Sequence, residues 1–298
     1  MAKFIMLIGL PGSGKSTYAQ TLISNNADTK YLSSDKIREE LYGDEAIQGN
    51  PNTVFTTMHN RVVQFLSDGY DVVYDATNVN RKNRKSVLNI ISCFDVVKEA
   101  HIVWCPFETC VTRDASRKRT VGEHVIRKMI MRWESPYYDE GFNCIKLICS
   151  DNSFDVNHYK NCMLDNMNIP HDNPHHEYDV LGHCLEAEKY CYAHKFKLVL
   201  CESAKWHDIG KPFTKGYKSD ENGKLIPIAH YYQHDNVGGY LVYGCYMLDE
   251  PSKNFGINVS YLVSNHMQPF FNSAYYKTLT GAYKRDIDRL HEADINAH

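Results

Sequence analysis

The segment GLPGSGKST at 9–17 constrains the fold of this chain more than any other part of its sequence. It fits the pattern G-x-x-x-x-G-K-[ST], with an apolar run before it and a helix-compatible run after it. Its glycines let backbone N–H groups turn inward, and the start of a helix adds a positive end, so a bound phosphate is stabilised there. The pattern therefore predicts a strand, a phosphate-binding loop and a helix in succession.

This loop also predicts which ligand is bound. Lys15 is placed to reach the β- and γ-phosphate oxygens of ATP or another nucleoside triphosphate, and Ser16 to offer a hydroxyl to Mg²⁺. The residues expected to bind the nucleotide are Gly12, Ser13, Gly14, Lys15, Ser16 and Thr17.

Apolar runs organise the first half of the chain. They are continuous rather than alternating, which is typical of parallel strands buried on both faces. They lie at 3–9, 30–34, 70–77, 99–105 and 144–150. Amphipathic segments such as 16–26 and 53–69 lie between them, so residues 1–155 are predicted to form a doubly wound α/β domain with a parallel sheet.

The pattern changes after about residue 155. Residues 156–172 are polar and rich in Asn, Asp and Pro, which indicates a linker. From 173 to 298 the sequence favours long helices without strand alternation, so an all-α domain is predicted.

Composition and charge indicate the cellular compartment and the partners of the protein. A chain of 298 residues with 43% hydrophobic content can bury two cores, and its net charge of −3 gives no overall basic field. The stretch 113–132 is nevertheless locally basic. Ten cysteines without a C-x-x-C pair indicate reduced thiols, and no apolar run reaches membrane-spanning length. We expect a protein of the bacterial or host cytosol with no membrane partner.

The segment SSDKIREEL at 33–41 is placed to hold the phosphate acceptor. Asp35 could take the proton from an acceptor hydroxyl, and Arg38 lies one helical turn later, where it could grip an anionic group. The alternative is that Asp35 is the N-cap of the helix that follows, and both roles are compatible.

Two further segments carry candidate residues. Asp75 ends the third predicted strand and could hold Mg²⁺ through water or position the acceptor; Arg81 and Arg84 follow it, either in the site or as solvated surface. Arg113 and Arg117 are four residues apart and are expected to share a helical face, as a lid over ATP or as an ordinary solvated helix.

These motifs together, GLPGSGKST, SSDKIR, DATN and RDASRKR, resemble the kinase module of bacteriophage polynucleotide 5′-kinase/3′-phosphatases over residues 1 to about 150. The resemblance implies that Asp35 activates a 5′-hydroxyl and that Arg38 grips the adjacent 3′-phosphate. It also implies that Arg117, with Arg113 beside it, contacts the phosphates of ATP. That family continues into an Asp-x-Asp-Gly-Thr phosphatase, which this sequence lacks.

Histidine and aspartate motifs take its place. His207 and Asp208 are adjacent, and Asp208 could bridge two divalent ions about 4 Å apart. Imidazole and carboxylate side chains together suit a divalent metal ion, and the histidine motifs of this half supply them. These motifs lie at 180–187, 204–212, 231–239, 264–268 and 290–298.

The pieces resemble the HD phosphohydrolase superfamily over about 173–298, most closely the HD module of bacterial tRNA-nucleotidyltransferases. The resemblance implies a first metal set and two histidines for a second ion, with Mn²⁺, Ni²⁺, Co²⁺ or a similar metal bound. The first set is His183, His207, Asp208 and Asp294, and the second-ion histidines are His234 and His266. Lys211 is implied to hold the substrate phosphate. The remaining histidines at 175, 176, 194, 230, 291 and 298 are expected to be structural.

Kinase and HD modules are also fused, in the opposite order, in certain bacterial end-healing enzymes. The sequence therefore predicts an enzyme that phosphorylates 5′-hydroxyl ends of RNA or DNA, with RNA favoured, and removes 3′- or 2′,3′-cyclic phosphate. A separate RNA ligase is the expected partner. The alternatives are a small-molecule or nucleotide kinase fused to a nucleotide phosphohydrolase, and a nucleotide-sensing regulator. The sequence leaves the oligomeric state open.

Overall fold

The structure is a computed structural model that describes residues 1–26, 28–117, 119–173 and 177–297. It divides into two compact units, each considered by itself below. The first unit contains Met1–Met129 and Pro136–Phe154, and the second contains Ile130–Ser135 and Asp155–His298. Lys118 of the basic stretch 113–132 and three of the histidines expected to be structural, His175, His176 and His298, lie outside the described residues.

The first unit is built on a five-stranded sheet in which every pairing is parallel, in the order β2-β3-β1-β4-β5. The strands are β1 (Lys3–Ile8), β2 (Thr29–Ser33), β3 (Asp71–Asp75), β4 (Val97–Trp104) and β5 (Cys144–Cys149). The helices are α1 (Lys15–Asn25), α2 (Ser34–Tyr42), α3 (Pro51–Ser67), α4 (Arg81–Ile90), α5 (Phe107–Ala115) and α6 (Glu123–Ile130), and a 3₁₀ helix covers Tyr138–Glu140. The predicted parallel α/β domain is confirmed.

Strand register explains where the functional residues meet. Leu7 of β1 pairs with Asp75 of β3, and Ser33 of β2 pairs with the same aspartate. Because the strands are parallel, their carboxyl ends lie at one edge of the sheet, and the loops that follow β1, β2 and β3 converge there. The interior of β1 is buried from Phe4 to Ile8, as a strand covered on both faces requires.

The second unit is mainly helical. Its helices are α7 (Val156–Met167), α8 (Val180–Ala193), α9 (Leu198–Trp206), α10 (Lys211–Thr214), α11 (His234–Leu241), α12 (Glu250–Asn265), α13 (Gln268–Phe271), α14 (Ala274–Thr278) and α15 (Gly281–Ile295), and a 3₁₀ helix covers Val242–Tyr246. The segment Ile130–Ser135 contributes Trp133, which packs edge-on against Tyr240 with ring centroids 5.0 Å apart. No helix in the described ranges combines the length and apolarity needed to cross a membrane.

The expectation of an all-α second domain was wrong at one place. An antiparallel hairpin joins β6 (Gly216–Ser219) to β7 (Leu225–His230). Its turn is closed by the Gly223 N–H, which donates to the Asp220 carbonyl at 3.0 Å, and Gly223 has φ +79°. The Asn222-Gly223 pair is a hairpin signal, but β7 lacks polar alternation and contains a proline, so the period-2 pattern is absent.

The predicted linker at 156–172 is also different in the structure. Most of it is helix α7, which begins at Val156 after Asp155 accepts hydrogen bonds from the Asn157 and His158 N–H groups at 2.8 and 3.0 Å. Tyr159 is buried and donates its hydroxyl to the Leu241 carbonyl at 3.0 Å. The polar composition reflects the solvent face of a packed helix rather than a free connection.

Candidate catalytic sites

The phosphate-binding loop of the first unit has the backbone shape that its glycines predict. Gly12 has φ +80°, and a Cβ placed there would lie 2.2 Å from the Cys110 carbonyl oxygen, so only glycine fits. Gly14 has φ +88° and directly precedes α1. In the described part of the chain the buried Ser13 Oγ has no hydrogen-bond partner, which suits a loop whose partner is an anion.

Lys15 is buried in this loop and donates its Nζ to the Leu10 carbonyl at 2.8 Å. Burial lowers the pKa of Lys15, although the nearby Asp75 carboxylate opposes this effect. A buried ammonium with one backbone partner is ready to be stabilised by a phosphate.

Asp75 forms a polar centre with the start of α1. Its Oδ2 accepts from Ser16 Oγ at 3.0 Å and from the Tyr31 hydroxyl at 2.6 Å. Burial, reinforced by the charge of Asp75, raises the pKa of Tyr31 well above its usual value, so this phenol stays a donor. Ser16 and Asp75 are the pair that could hold Mg²⁺, while Tyr31 was missed because a lone tyrosine in a strand carries no spacing signal.

Asp35 and Arg38 stand at the start of α2. The N-cap is Ser33, whose hydroxyl accepts from the Asp35 N–H at 3.3 Å, so the alternative in which Asp35 caps this helix was wrong. Arg38 Nη1 donates to Asp35 Oδ1 at 2.6 Å, and the Asp35 carboxylate is half exposed. Both line a cavity of about 450 Å³ that also contains Lys15 and Ser16.

The basic segment after β4 differs from the predicted helical lid. Helix α5 ends at Ala115, so Arg113 and Arg117 do not share a helical face. Arg113 donates to the hydroxyl and carbonyl of Ser150 at 3.0 and 3.1 Å, whereas Arg117 lies beyond the helix and lines the cavity.

Arg81 and Arg84 have structural partners, so the interpretation of these residues as solvated surface was wrong. Arg81 pairs with Asp139 through two hydrogen bonds of 3.0 and 2.9 Å. Arg84 is fully buried and pairs with Glu140 through bonds of 2.8 and 2.6 Å. Arg84 also donates to the Asn78 carbonyl at 3.1 Å, so this pair secures the loop that follows Asp75.

Four buried histidines of the second unit share one arrangement. Each presents Nδ1 to a backbone carbonyl, which can only accept, so each Nδ1 carries the proton and Nε2 is left to act as a ligand. The Nδ1–oxygen pairs are His183–Ala297 at 3.1 Å, His207–Ala204 at 2.7 Å, His234–Tyr231 at 2.8 Å and His266–Val263 at 2.7 Å.

The Nε2 atoms converge on two carboxylates. On one side, His183 Nε2 is 2.9 Å from Asp294 Oδ1 and 3.2 Å from His207 Nε2. On the other side, His234 Nε2 is 3.2 Å from Asp208 Oδ1 and 3.1 Å from His266 Nε2. The structure thus brings together all six residues that the sequence resemblance assigned to metal binding.

This cluster favours a positive charge. Two neutral imidazoles in this tautomer direct lone pairs at each other, an arrangement that a cation between them stabilises. Burial opposes charge on His207, but Asp208 and Asp294 outweigh it and raise its pKa well above the usual value. Burial beside two other imidazoles lowers the pKa of His266 to about 3, so His266 is neutral. Asp208 Oδ2 is buried without a partner of hydrogen-bond geometry among the described residues, and divalent metals fit this donor set.

Lys211 contacts the cluster rather than open solvent. Its Nζ lies 2.6 Å from Asp208 Oδ2, at ion-pair distance, and 3.1 Å from His171 Nε2. His171 Nδ1 faces the Tyr178 carbonyl at 2.9 Å, so its Nε2 is an acceptor for the lysine. Sequence reasoning missed His171, which lies in a polar stretch without any motif spacing.

Three histidines that were expected to be structural lie outside the cluster. His194 stacks on Tyr190 with ring centroids 3.9 Å apart, and His230 stacks on Tyr232 at 4.5 Å. His291 meets Phe270 edge-on at 4.3 Å. These aromatic contacts are structural roles of the kind expected for solitary histidines.

The fold and its loop define the first unit as an α/β P-loop domain, a class that binds a nucleoside triphosphate with Mg²⁺. Residues 4–136 match the family model AAA_33, described as an AAA domain. A curated relative, the transcription factor bHLH140 of Arabidopsis thaliana, is 28% identical over 165 residues, which cover 52% of this chain and 17% of that protein.

Two solved structures are also similar. The Pnkp1/Rnl/Hen1 RNA repair complex aligns with a TM-score of 0.41 and 20% identity, over 44% of this chain and 43% of that one. A fungal RNA kinase aligns with a TM-score of 0.37 and 18% identity, over 55% of this chain and 44% of that one. The chain thus spans less than half of these relatives, and at such TM-scores the likeness carries no argument about activity.

Proposed function

We propose that this chain is a bifunctional nucleic-acid end-healing enzyme. Its first unit transfers the γ-phosphate of ATP to a 5′-hydroxyl end, and its second unit removes a 3′- or 2′,3′-cyclic phosphate. The observation that carries the first half is a single cavity of about 450 Å³ lined by Lys15, Ser16 and Asp75 of the phosphate-donor side and by Asp35 and Arg38 of the acceptor side.

In the kinase reaction, Asp35 accepts the proton of the acceptor hydroxyl as its oxygen bonds to the γ-phosphorus. The bond from that phosphorus to the β,γ-bridging oxygen breaks, and ADP leaves. Lys15 and Arg117 stabilise charge on the phosphate oxygens, and Arg38 orients the acceptor. Mg²⁺, held through Ser16 and Asp75, would further neutralise the phosphates.

The phosphatase proposal rests on the histidine–aspartate cluster. His183, His207 and Asp294 would hold one divalent ion, His234 and His266 a second, and Asp208 would bridge them through its two oxygens. Such ions, when bound, supply Lewis acidity and lower the pKa of water. Lys211, held by Asp208 and His171, is placed to contact a substrate phosphate at the same carboxylate.

The two activities are complementary. Metal-independent ribonucleases leave a 5′-hydroxyl and a cyclic or 3′-phosphate, whereas a ligase requires a 5′-phosphate and a 3′-hydroxyl. We therefore propose RNA ends as substrates, since cyclic phosphates require a 2′-hydroxyl, and a separate RNA ligase as a partner. A nucleotide or small-molecule kinase fused to a nucleotide phosphohydrolase is the alternative enzyme, and a nucleotide-sensing regulator is the non-enzymatic one.

The test uses a 5′-hydroxyl, 3′-phosphate oligoribonucleotide with ATP and Mg²⁺, Mn²⁺, Ni²⁺ or Co²⁺. Lys15→Ala is expected to lose only 5′-phosphorylation, and the double variant His207→Ala, Asp208→Ala only 3′-dephosphorylation. His194→Ala, a histidine outside the cluster, is the matched control and should retain both activities.

Other outcomes select the alternatives. Turnover of free nucleotides but not of the oligonucleotide would replace end healing with nucleotide metabolism. Binding of nucleotides without turnover under any of these metals would favour the regulator.

A further inference from the structure

The β6–β7 hairpin of the second unit is exposed along its length and has no role in the proposed reaction. Every residue from 217 to 228 is exposed, including Leu225, Ile226 and Ile228 of β7. Leu225 and Ile226 are adjacent in a strand and so lie on opposite faces, and neither face covers a core. A two-stranded hairpin gains little stability by itself, and exposed apolar surface of this kind marks a binding surface.

The base of the hairpin is attached to the histidine–aspartate cluster through Tyr231, which directly follows β7. The Tyr231 carbonyl accepts from His234 Nδ1 at 2.8 Å, and Lys211 Nζ lies 5.3 Å from the centroid of the Tyr231 ring. The Tyr231 hydroxyl donates to the carbonyl of His171, the residue that also contacts Lys211. A ligand bound along the hairpin base is therefore held beside the residues proposed to bind the substrate phosphate.

Tyr232 is an exposed aromatic side chain at this base. It is 55% exposed and stacks on His230 with ring centroids 4.5 Å apart, so its ring is supported in one orientation. Lys218 of β6 has its Nζ 5.4 Å from the centroid of Tyr232. An exposed aromatic ring with an ammonium group beside it suits single-stranded nucleic acid, because the ring stacks on a base and the cation contacts a backbone phosphate.

Other features of the hairpin favour a nucleic-acid strand over a protein strand as its ligand. Pro227 has no N–H and interrupts the row of donors along β7, which disfavours the addition of a third strand. The acidic residues Asp220 and Glu221 lie at the turn, where Asp220 accepts from the Asn222 N–H at 2.9 Å. These acids are thus separated from Tyr232, which has Lys218 beside it.

Resting on the proposed phosphatase function, we propose that Tyr232 and Lys218 form a binding platform for the single-stranded nucleic acid whose 3′ end enters the metal cluster. A base upstream of the terminal nucleotide stacks on Tyr232, and Lys218 contacts a phosphate of the same strand. The substrate class of the second unit is then the unpaired end of a polynucleotide. A phosphorylated metabolite lacks the upstream base, and a base inside a duplex does not offer its face to the ring.

The experiment compares two strands as phosphatase substrates. One is a 5′-phosphorylated oligoribonucleotide with a 3′-phosphate, and the other is the same strand with abasic ribose at every position except the terminal one. The 5′-phosphate leaves the first unit no acceptor hydroxyl. Wild type is expected to prefer the strand with bases, measured as the ratio of the two kcat/KM values. Tyr232→Ala should lower that ratio by about tenfold, the contribution of one base stack, and Tyr232→Phe, which keeps the ring, should retain it.

Lys218→Ala tests the phosphate contact separately. It should lower kcat/KM for both strands and make kcat/KM less steeply dependent on salt concentration, because one contact to a backbone phosphate is lost. Tyr192→Ala is the matched control, since Tyr192 is an aromatic residue of α8 that is 54% exposed and lies outside the hairpin. This control should keep the ratio and the salt dependence of wild type.

Several results would overturn the platform while leaving the phosphatase function in place. These are equal kcat/KM values for the two strands in wild type, an unchanged ratio in Tyr232→Ala (including an equal loss with both strands), and a wild-type salt dependence in Lys218→Ala. Hydrolysis of neither strand by wild type with Mg²⁺, Mn²⁺, Ni²⁺ or Co²⁺ would instead refute the phosphatase function, and the platform with it.

Discussion

The buried ion pair between Arg84 and Glu140 gives the sharpest stability prediction. Both side chains are fully buried, and two hydrogen bonds of 2.8 and 2.6 Å join them. Glu140 Oε1 also accepts from the Tyr137 N–H at 3.2 Å. Removing the carboxylate leaves a guanidinium inside the protein with only the Asn78 carbonyl as a partner among these bonds.

Glu140→Ala is therefore expected to lower the free energy of unfolding of the first unit by about 3–5 kcal/mol, the cost of leaving one member of a buried pair uncompensated. Glu140→Gln keeps an acceptor oxygen and should cost less. The double variant Arg84→Met, Glu140→Leu should recover much of the loss, because both desolvation costs disappear together.

Urea unfolding followed by circular dichroism measures this difference, with Glu123→Ala as the control. Glu123 pairs with Arg127 at 3.3 Å on an exposed helix face, so its removal should cost about 1 kcal/mol or less. Glu140→Ala, but not Glu123→Ala, should also weaken ATP binding, because Arg84 contacts Asn78, which donates to the Leu7 carbonyl at 2.7 Å beside the phosphate-binding loop. A loss for Glu140→Ala no larger than that of the control would refute the reasoning.

Three further predictions concern metal binding, lysine positioning and pH. Adding Mn²⁺, Ni²⁺ or Co²⁺ to chelator-treated protein should raise Tm, since metal at a hundredfold its Kd contributes about 2.7 kcal/mol, and Asp208→Asn should lose most of this rise in scanning fluorimetry. His171→Leu should lower kcat/KM of the proposed phosphatase reaction by about tenfold, while His171→Gln, which keeps an acceptor for Lys211, should retain most of it. Burial opposes ionisation of Glu99, but Lys146 outweighs it and lowers the pKa of Glu99 to about 2 from 4.5. Glu99→Gln should therefore be less stable than wild type at pH 7, and the difference measured by urea unfolding should shrink as pH falls from 4.5 towards 2.

Each of these three predictions has an outcome that would contradict it, and the metal prediction also has a control variant. His194→Ala should keep the metal-dependent rise in Tm, and no rise in wild type with any of the metals would contradict the metal site. Equal losses in His171→Leu and His171→Gln would show that the imidazole acts otherwise than as an acceptor. A constant stability difference between Glu99→Gln and wild type down to pH 2 would contradict the assigned ionisation.

The sheet was predictable from the sequence because parallel strands leave a direct compositional trace. Burial on both faces makes every residue of a strand such as Phe4–Ile8 apolar, and no polar alternation blurs the pattern. The phosphate-binding loop was predictable because Gly12 and Gly14 stand where the backbone has a positive φ, which glycine adopts without strain. Both signals are contained in a few neighbouring residues.

The features that could not be predicted depend on partners distant along the chain. Arg84 resembles a surface arginine until Glu140, 56 residues later, is placed against it. Arg119 Nη1 lies 3.2 Å from Asp35 Oδ1, although most of the sequence of the first unit separates these two residues. Helix α7 has the composition of a linker because only one of its faces, with Tyr159, is buried. Periodicity in one segment carries no information about which segment will cover it.

The tautomers of the candidate metal ligands were likewise not predictable from the sequence. Residue types in the sequence suggest that His207 and His266 could bind metal, but only the structure gives their tautomers, because Val263 and Ala204 supply the carbonyls that fix Nδ1. The result in the second unit is a cluster of lone pairs and carboxylates that favours a cation, whereas the cavity of the first unit places Lys15 and several arginines beside the carboxylates of Asp35 and Asp75. In the first unit the cations themselves can contact a phosphate ester, whereas in the second unit a bound divalent ion would add positive charge to that of Lys211. The two units therefore offer different chemistry to a phosphate group, and this is the physical reason for proposing a different reaction for each.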